Sequence, residues 1–396
     1  MKVEREVSSG GFCLPESERM ETRGHPTVEL LGKSKEELRA YCKMVSEPVY
    51  RGEQIYRALY AERRFDLGAV TTLPAALREK LLQEATVTLP TVRQRYLSSD
   101  GSVRYLFRLG EKPKPAAVEA VFMPSEGWQT ICISTQAGCA VDCQFCLTAQ
   151  LGLIRNLTAG EIVGQVLVPL NEMSEKVSDG ENGGDAEGEK AGLAARTNVV
   201  LMGQGEPLLN FENVMAALRI LLDEEGVGLS PKHVTLSTSG IVPGIERFAK
   251  EEVRPKLAIS LNASNDEQRD ELMPINKKYP LKVLMEACRH YPLRNWEHLT
   301  FEYVMLGGVN DASEDARRVV KLLAPFKRVK VNLIPWNPGE LPYKESGNEK
   351  IEEFRRILTD RGVPAFVRYS RGRDVMAACG QLALIEVQIS PLTVIS

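Results

Sequence analysis

Apolar residues recur at spacings of three and four through SKEELRAYCKMV, GEQIYRALYAERRF and PAALREKLLQEA, three segments lying between Ser34 and about Leu89. That period puts the apolar positions on one helix face, so the stretch predicts a small helical module with short connectors. The pattern then changes: YLSSDGSVRYLF, within Val92–Phe107, reads as two strands around an Asp100-Gly101 hairpin turn. From Thr130 onward, β-branched runs (ICIST, NVVLM at 198–202, HVTLST, KLAISL, LTFEYVM and VKVNLIP) are separated by amphipathic stretches such as FENVMAALRILLDEE and DARRVVKLLAPF. Six such units in succession predict parallel strands joined by crossover helices, an α/β protein built on a partial (βα)6 barrel. Thr158 and Glu161 are spaced to form a capping box at the start of the first crossover helix.

Two stretches lack periodicity. Residues 1–29 mix glycine, serine and charge and read as a mobile tail. Asn171 to Lys190 holds seven acids, two lysines and four glycines and opens a solvated acidic insertion, 171–195, within the barrel. The expected division is therefore a tail (1–29), a helical accessory domain (30–90), a linking β-hairpin (91–117) and the barrel (118–396).

Composition narrows the class without naming a function. With 396 residues, 43 % hydrophobic and 26 % charged, the chain belongs with ordinary globular proteins of two or three domains. No apolar run approaches the ~20 residues of a membrane span, and the N-terminus lacks a secretory apolar block, so the expected location is the cytoplasm. Fifty basic against fifty-three acidic residues leave a formal charge of −3, so any surface for a polyanion must be local.

The cysteines change the picture. Four of the eight, Cys132, Cys139, Cys143 and Cys146, crowd into fifteen positions, which in a chain of this size argues for metal or redox chemistry over a disulfide framework. Cys139-Ala-Val-Asp-Cys143-Gln-Phe-Cys146 follows directly on the strand ICIST and the turn Gln136-Ala137-Gly138. A four-iron cube normally takes four protein ligands, and three thiolates leave one iron open for a chelating substrate such as an amino acid. Structural zinc prefers four closed ligands, and no matching second pair or nearby histidine is present.

A CxxxCxxC loop after a strand at the start of an α/β barrel resembles the signature of radical S-adenosylmethionine enzymes. Val199–Met202 running into Gly203-Gln204-Gly205-Glu206-Pro207 resembles that superfamily's glycine and glutamate motif, in which backbone and carboxylate hold the methionine amine. More specific segments, STQAGCAVDCQFCLTAQLGLIRNLTAGEIVGQV, TNVVLMGQGEPLLN, HVTLSTSGIVPGI, RDELMPINKKYP, VNLIPWNP and RGRDVMAACGQLA, resemble the adenosine C2 methyltransferases of the RlmN type over about Leu30 to Leu384. That family acts on 23S ribosomal RNA and, in many bacteria, on transfer RNA.

The resemblance implies a 4Fe–4S cluster held by Cys139, Cys143 and Cys146, and two S-adenosylmethionine molecules per turnover. Adenine C2 lies between two ring nitrogens and is too electron-poor to attack a sulfonium methyl directly. In the implied scheme one S-adenosylmethionine methylates Cys379, a second yields a 5′-deoxyadenosyl radical, and the radical takes hydrogen from the methylated thiol. The carbon radical adds to C2, and Cys132 then expels the product by closing a disulfide onto Cys379. Glu119, in the apolar run AAVEAVFMP, matches the family's proton acceptor, and desolvation there would raise its pKa. Gly205, Glu206, Ser237, Ser260, Leu261, Asn262 and Asn337 match the S-adenosylmethionine contacts, with Asn262 standing where many relatives have histidine. Cys13, Cys42 and Cys288 read as ordinary residues of the tail and of apolar helix faces.

For RNA the sequence offers basic patches: Arg51, Arg57, Arg63 and Arg64 in the helical module, Lys277 and Lys278, Lys327 to Lys330, and Arg368, Arg371 and Arg373 near Cys379. A target adenine must leave its stack to reach a buried radical. An external one-electron reductant such as flavodoxin and a monomeric state complete the expectation. Two alternatives differ in kind: a relative methylating adenosine C8 with the same apparatus, and a non-catalytic iron–sulfur RNA-binding or electron-transfer protein, which would need a fourth cluster ligand and neither Cys132 nor Cys379.

Overall fold

The computed structural model of the chain describes residues 27–110, 114–178, 192, 194–384 and 394–395. Six parallel strands follow the sequence reading: Trp128–Cys132, Thr197–Leu201, Val234–Thr238, Lys256–Ser260, Leu299–Met305 and Val329–Pro335, called here the first to sixth barrel strands. Each pairs in parallel with the next, and the crossovers carry the helices Ala159–Ser178, Phe211–Leu222, Val242–Phe248, Leu281–His290 and Ser313–Leu323. A seventh parallel strand, Ala365–Val367, joins the sixth. Three residues are too few to show a period in the sequence.

Within the barrel strands side chains alternate between two environments, as a period of two requires. Val199, Leu236, Ile259, Phe301 and Leu333 are buried in the main hydrophobic core. The intervening positions Asn198, Thr235, Thr300, Glu302, Lys330 and Asn332 line a cavity inside the barrel. The curved sheet thus keeps a dry outer face and a lumen in which these polar and charged groups stand among apolar ones such as Val200 and Ile334.

The 91–117 segment is not a free-standing linker. Its strands Thr91–Leu97 and Val103–Arg108 pair with each other and then, through Ala117–Ser125, with the first barrel strand; with Val394–Ile395 paired to Thr91–Leu97 at the outer edge, the sheet has eleven strands. A lone hairpin is marginal in water, and joining a sheet edge supplies the missing pairing. The Asp100-Gly101 turn is present, with Asp100 Oδ1 accepting from Ser102 N at 2.8 Å and Gly101 at φ 81°.

The expected start of the acidic insertion at Asn171 is also corrected. The first crossover helix continues to Ser178, because its last turns have partners: Glu172 accepts from Tyr105 Oη at 2.9 Å and pairs with Arg95, while Ser174 Oγ accepts from Arg63 at 3.1 Å. Residues 179–191 and 193, and the tail to residue 26 with Cys13, lie outside the described residues. At the other end of this helix the capping box forms as expected, with Thr158 N donating to Glu161 Oε2 at 2.9 Å and Glu161 N to Thr158 Oγ1 at 3.2 Å.

The helical module comprises Lys35–Met44, Arg51–Tyr60 and Ala75–Glu84. It docks on the barrel through Asp223, which accepts from Tyr56 Oη at 3.0 Å and pairs with Lys35 at 3.0 Å. A close backbone crossing adds to the fit: a Cβ on Gly32 (φ 89°) would sit 2.3 Å from Gly160 N. Among the described residues no helix is long and apolar enough to cross a membrane.

Candidate active site

The three-thiol loop leaves the first barrel strand through the short strand Gln136–Gly138, which pairs with Leu153–Asn156. Backbone bonds fix its course: Cys139 N donates to Gly152 O at 3.0 Å, Gln144 N to Leu272 O at 3.0 Å and Cys146 N to Cys143 O at 3.1 Å. Asp142 takes the left-handed conformation (φ 59°) at the bend between the first two thiols. Cys139, Cys143 and Cys146 all face a cavity of about 170 Å³ at the C-terminal ends of the barrel strands.

Burial pushes the three thiols up, Cys139 to about 12, so they favour the neutral form until a cation joins them. Arg269 is the nearby charge opposing this at Cys143. Among the described residues no three thiols, imidazoles or carboxylates lie close enough to share a single metal ion. A cube does not require that, because each thiolate binds its own iron. The donor set of three thiols open to a cavity therefore fits a cluster better than a closed zinc site.

The same cavity receives the glycine and glutamate segment after the second barrel strand. Gly205 has φ 98°, and a Cβ there would lie 2.5 Å from Gln136 Cβ, so the backbone passes within contact of the cysteine loop's own stem. Glu206 is buried, with Oε1 accepting from Leu208 N at 3.0 Å and Oε2 from Ser239 N at 2.7 Å and Ser239 Oγ at 2.8 Å. Desolvation raises its pKa, and the Ser239 and Leu208 donors oppose that.

Ser237, Ser260, Asn262 and Asn337 also line this cavity. Asn262 adopts a left-handed backbone (φ 54°), and its side chain accepts from Val304 N at 2.9 Å. Asn337 Nδ2 donates to Ser370 Oγ at 2.9 Å and to Cys379 O at 3.1 Å, holding the Cys379 segment in place. The side chain of Leu261 is in the hydrophobic core, and its backbone carbonyl accepts from Arg269 Nε at 3.1 Å. Arg269, quoted in RDELMPINKKYP without a role, proves to organise the strand ends. Fully buried, it donates to Ser239 O (2.7 Å), Ser260 O (3.1 Å), Leu261 O (3.1 Å) and Asn276 Oδ1 (3.1 Å). A single arginine in a helical segment gives no hint in sequence that three distant carbonyls will converge on it.

Cys379 and Cys132 come together although 247 positions apart in the chain. A second cavity of about 460 Å³ is lined by both, and Cys379 and Cys146 line both cavities. The Cys379 segment is stitched to the cysteine loop by Leu147 N donating to Gly380 O (2.8 Å) and Thr148 Oγ1 to Leu382 O (2.6 Å). Burial pushes the Cys379 thiol up to about 11, although its surface is open to the cavity, because barrel walls surround it. Cys132 is buried and its thiol is likewise raised by desolvation, with Cys379 the next contributor.

Glu119 lies one layer behind. It shares a sheet face with Val121, which pairs with Cys132, but its carboxylate lines neither cavity. Arg104 Nη1 donates to Oε1 at 2.7 Å and Leu384 N to Oε2 at 3.0 Å. Desolvation raises its pKa against the pull of Arg104, so the expected direction is present, with a buried cation partner that the sequence did not reveal. Glu302, absent from the sequence reading, lines both cavities at the level of Cys379.

The basic patches divide. Lys330, Arg368 and Arg371 line the second cavity together with Lys256. Arg63 is buried and donates to Ser174, so it leaves the list of RNA-facing groups. Arg373 pairs with Glu345 at 3.0 Å and Arg57 with Glu62 at 3.5 Å on the surface. Cys42 and Cys288 are buried on helix faces, as expected.

Comparison with known proteins follows the same lines. Residues 185–322, beginning after the cysteine loop, match the Radical SAM superfamily, and residues 28–87 match the ribosomal RNA large subunit methyltransferase N-terminal domain. A protein of Koribacter versatilis (strain Ellin345) named "Probable dual-specificity RNA methyltransferase RlmN" is 49 % identical over 360 residues, covering 87 % of this chain and 98 % of its own. The dual-specificity RNA methyltransferase RlmN of Anaeromyxobacter sp. (strain Fw109-5) is 44 % identical over 363 residues, 91 % of this chain and 92 % of that one. A radical SAM methyltransferase from Sphaerobacter thermophilus superposes with a TM-score of 0.80 at 39 % identity, over 90 % of this chain and 99 % of that chain.

Proposed function

The chain belongs to the RlmN family of radical S-adenosylmethionine RNA methyltransferases, and we propose that it methylates C2 of adenosine in 23S ribosomal RNA and in transfer RNA. The observation that carries this reading is the position of Cys379, on the wall shared by the cavity of the three-thiol loop and the cavity of Cys132. An electron carrier would have no use for that arrangement.

Cys139, Cys143 and Cys146 would hold the 4Fe–4S cluster, and Gly205, Glu206, Ser237, Ser260, Asn262 and Asn337 would hold S-adenosylmethionine beside it. When bound, the cluster supplies the electron that splits the sulfonium and so makes a 5′-deoxyadenosyl radical available. Cys379 carries the methyl carbon between the two cavities, with its carbonyl held by Asn337 and that of the next residue, Gly380, held by Leu147. Cys132, across the second cavity, is the thiol that closes a disulfide onto Cys379 and frees the product. The flipped adenosine occupies the second cavity, where Lys256, Lys330, Arg368 and Arg371 offer cations to its phosphates. Glu119, paired with Arg104 one layer behind the second cavity, is assigned as the acceptor of the C2 proton. The helical module, residues 30–90, serves as the RNA-binding accessory domain, and an external one-electron donor such as flavodoxin reduces the cluster.

The test is anaerobic reconstitution with reductant, S-adenosylmethionine and each RNA, followed by mass analysis of nucleosides. The expected products are 5′-deoxyadenosine and 2-methyladenosine from both RNAs. 8-Methyladenosine as sole product, or an intact cluster with no methylated RNA, would overturn the reading.

A further inference from the structure

Among the described residues, Glu206 and Glu302 are the carboxylates that line the two cavities described above. Both oxygens of Glu206 already accept from Leu208 and Ser239. Glu302 differs: among the described residues its carboxylate has one hydrogen-bond donor, Asn332 Nδ2, 2.9 Å from Oε1. The parallel register sets Ser260, Glu302 and Asn332 side by side across the fourth, fifth and sixth barrel strands. Thr300 and Lys330 pair one lumen level below, and Val304 and Ile334 one level above. Glu302 therefore stands where the donor cavity above meets the lumen below, the level at which Cys379 lines both.

We propose that Glu302 takes the thiol proton of Cys379 as its sulfur accepts the methyl group. The inference rests on the proposed function, since that reading makes Cys379 the methyl carrier. In the step the Cys379 S–H bond breaks and its proton passes to a Glu302 carboxylate oxygen. The sulfur pair forms the new S–CH3 bond, and the sulfonium S–CH3 bond of S-adenosylmethionine breaks, its electron pair staying on S-adenosylhomocysteine. The cationic donor and the anionic carboxylate are both neutral afterwards, so charge balances without a further reactant.

The electrostatics agree with this placement. The Cys379 thiol, raised to about 11, is almost entirely protonated at neutral pH and needs a base. After desolvation, Glu302 is the next cause of that rise, so its charge is felt at the sulfur. Desolvation also lifts Glu302 itself to about 7, opposed by the Asn332 hydrogen bond and by Lys330 and Arg368, which puts its proton affinity near working pH. The other groups acting on Cys379 are Ser370 and Cys146.

Two readouts test it, one needing no cofactor. In cluster-free protein, the rate of iodoacetamide alkylation of Cys379 is followed against pH by peptide mass. Glu302→Gln removes a negative charge beside the thiol, so its alkylation midpoint falls and alkylation at pH 8 becomes severalfold faster, while Glu302→Asp keeps the wild-type profile. In reconstituted protein starting with unmethylated Cys379, transfer of labelled methyl to Cys379 falls about 100-fold in Glu302→Gln and is partly retained in Glu302→Asp. Methyl transfer in Glu302→Gln at the wild-type rate overturns the proposal. An alkylation profile unmoved by Glu302→Gln, or moved equally by Glu302→Asp, overturns it as well, because the carboxylate then does not face the thiol. Wild-type protein that never methylates Cys379 would instead remove the proposed function, and this inference with it.

Discussion

Arg104 and Glu119 form an ion pair with no exposure to solvent, Nη1 lying 2.7 Å from Oε1 and both side chains at most 1 % exposed. The arginine also sits over the Tyr96 ring, 4.1 Å from its centroid. Removing one partner from such a pair strands the other charge. Arg104→Met should therefore cost about 3–5 kcal/mol, read as a lowered urea midpoint, and Arg104→Met with Glu119→Gln should recover most of it. An unchanged midpoint in the single variant would show that the pair does not hold the sheet under the Cys379 segment.

Cys132 and Cys379 line one cavity, and the proposed scheme needs the first only at the release step. Cys132→Ala should then stall with RNA joined to the protein through Cys379, visible as a nuclease-trimmed mass addition on that peptide. Free RNA alone, from a preparation that still makes 5′-deoxyadenosine, would exclude Cys132 from release.

Gly205 cannot accept a side chain. A Cβ would meet Gln136 N at 2.7 Å on a backbone already at φ 98°. Gly205→Ala should lower stability by about 1–3 kcal/mol and weaken S-adenosylmethionine binding, measured by urea unfolding and equilibrium dialysis. Wild-type values in both would mean the turn relaxes without consequence.

Glu302 links stability to pH with a definite sign. Its folded value of about 7 lies above the ordinary 4.5, so the native state favours the protonated form. That contribution is complete below about pH 4.5 and is lost as pH climbs through about 7, amounting to no more than about 3.5 kcal/mol at roughly 1.4 kcal/mol per unit. Water in the cavity reduces it. Glu302→Gln, lacking the titration, should match wild type near pH 4 and exceed it in melting temperature at pH 8. A difference that does not change with pH would show that the carboxylate is solvated like any surface group.

What was legible in the chain was whatever depends on neighbours in sequence. The strands from ICIST to VKVNLIP, the Thr158–Glu161 cap and the Asp100-Gly101 turn follow from period and local hydrogen-bonding capacity. The CxxxCxxC spacing likewise puts three thiols on one loop, whatever the rest of the fold does. Other features answer to partners far along the chain. Asn171–Ser178 looks like a solvated acidic stretch, yet it stays helical because Arg95, Tyr105 and Arg63 meet it. Leu261 reads as a ligand position from its place in a motif, but strand parity turns its side chain into the core.

Local spacing along the chain was enough to establish an α/β protein with a helical module, a three-thiol loop and the motifs that place it in its family. Only long-range packing brought Cys379 and Cys132 to one cavity, gathered the carbonyls of Ser239, Ser260 and Leu261 on Arg269, and set Glu302 and Cys379 on the walls of the same two cavities. The physical reason is common to all three: parallel register and crossover packing fix which residues share a level of the barrel, and those pairings join positions whose separation along the chain carries no record of their contact.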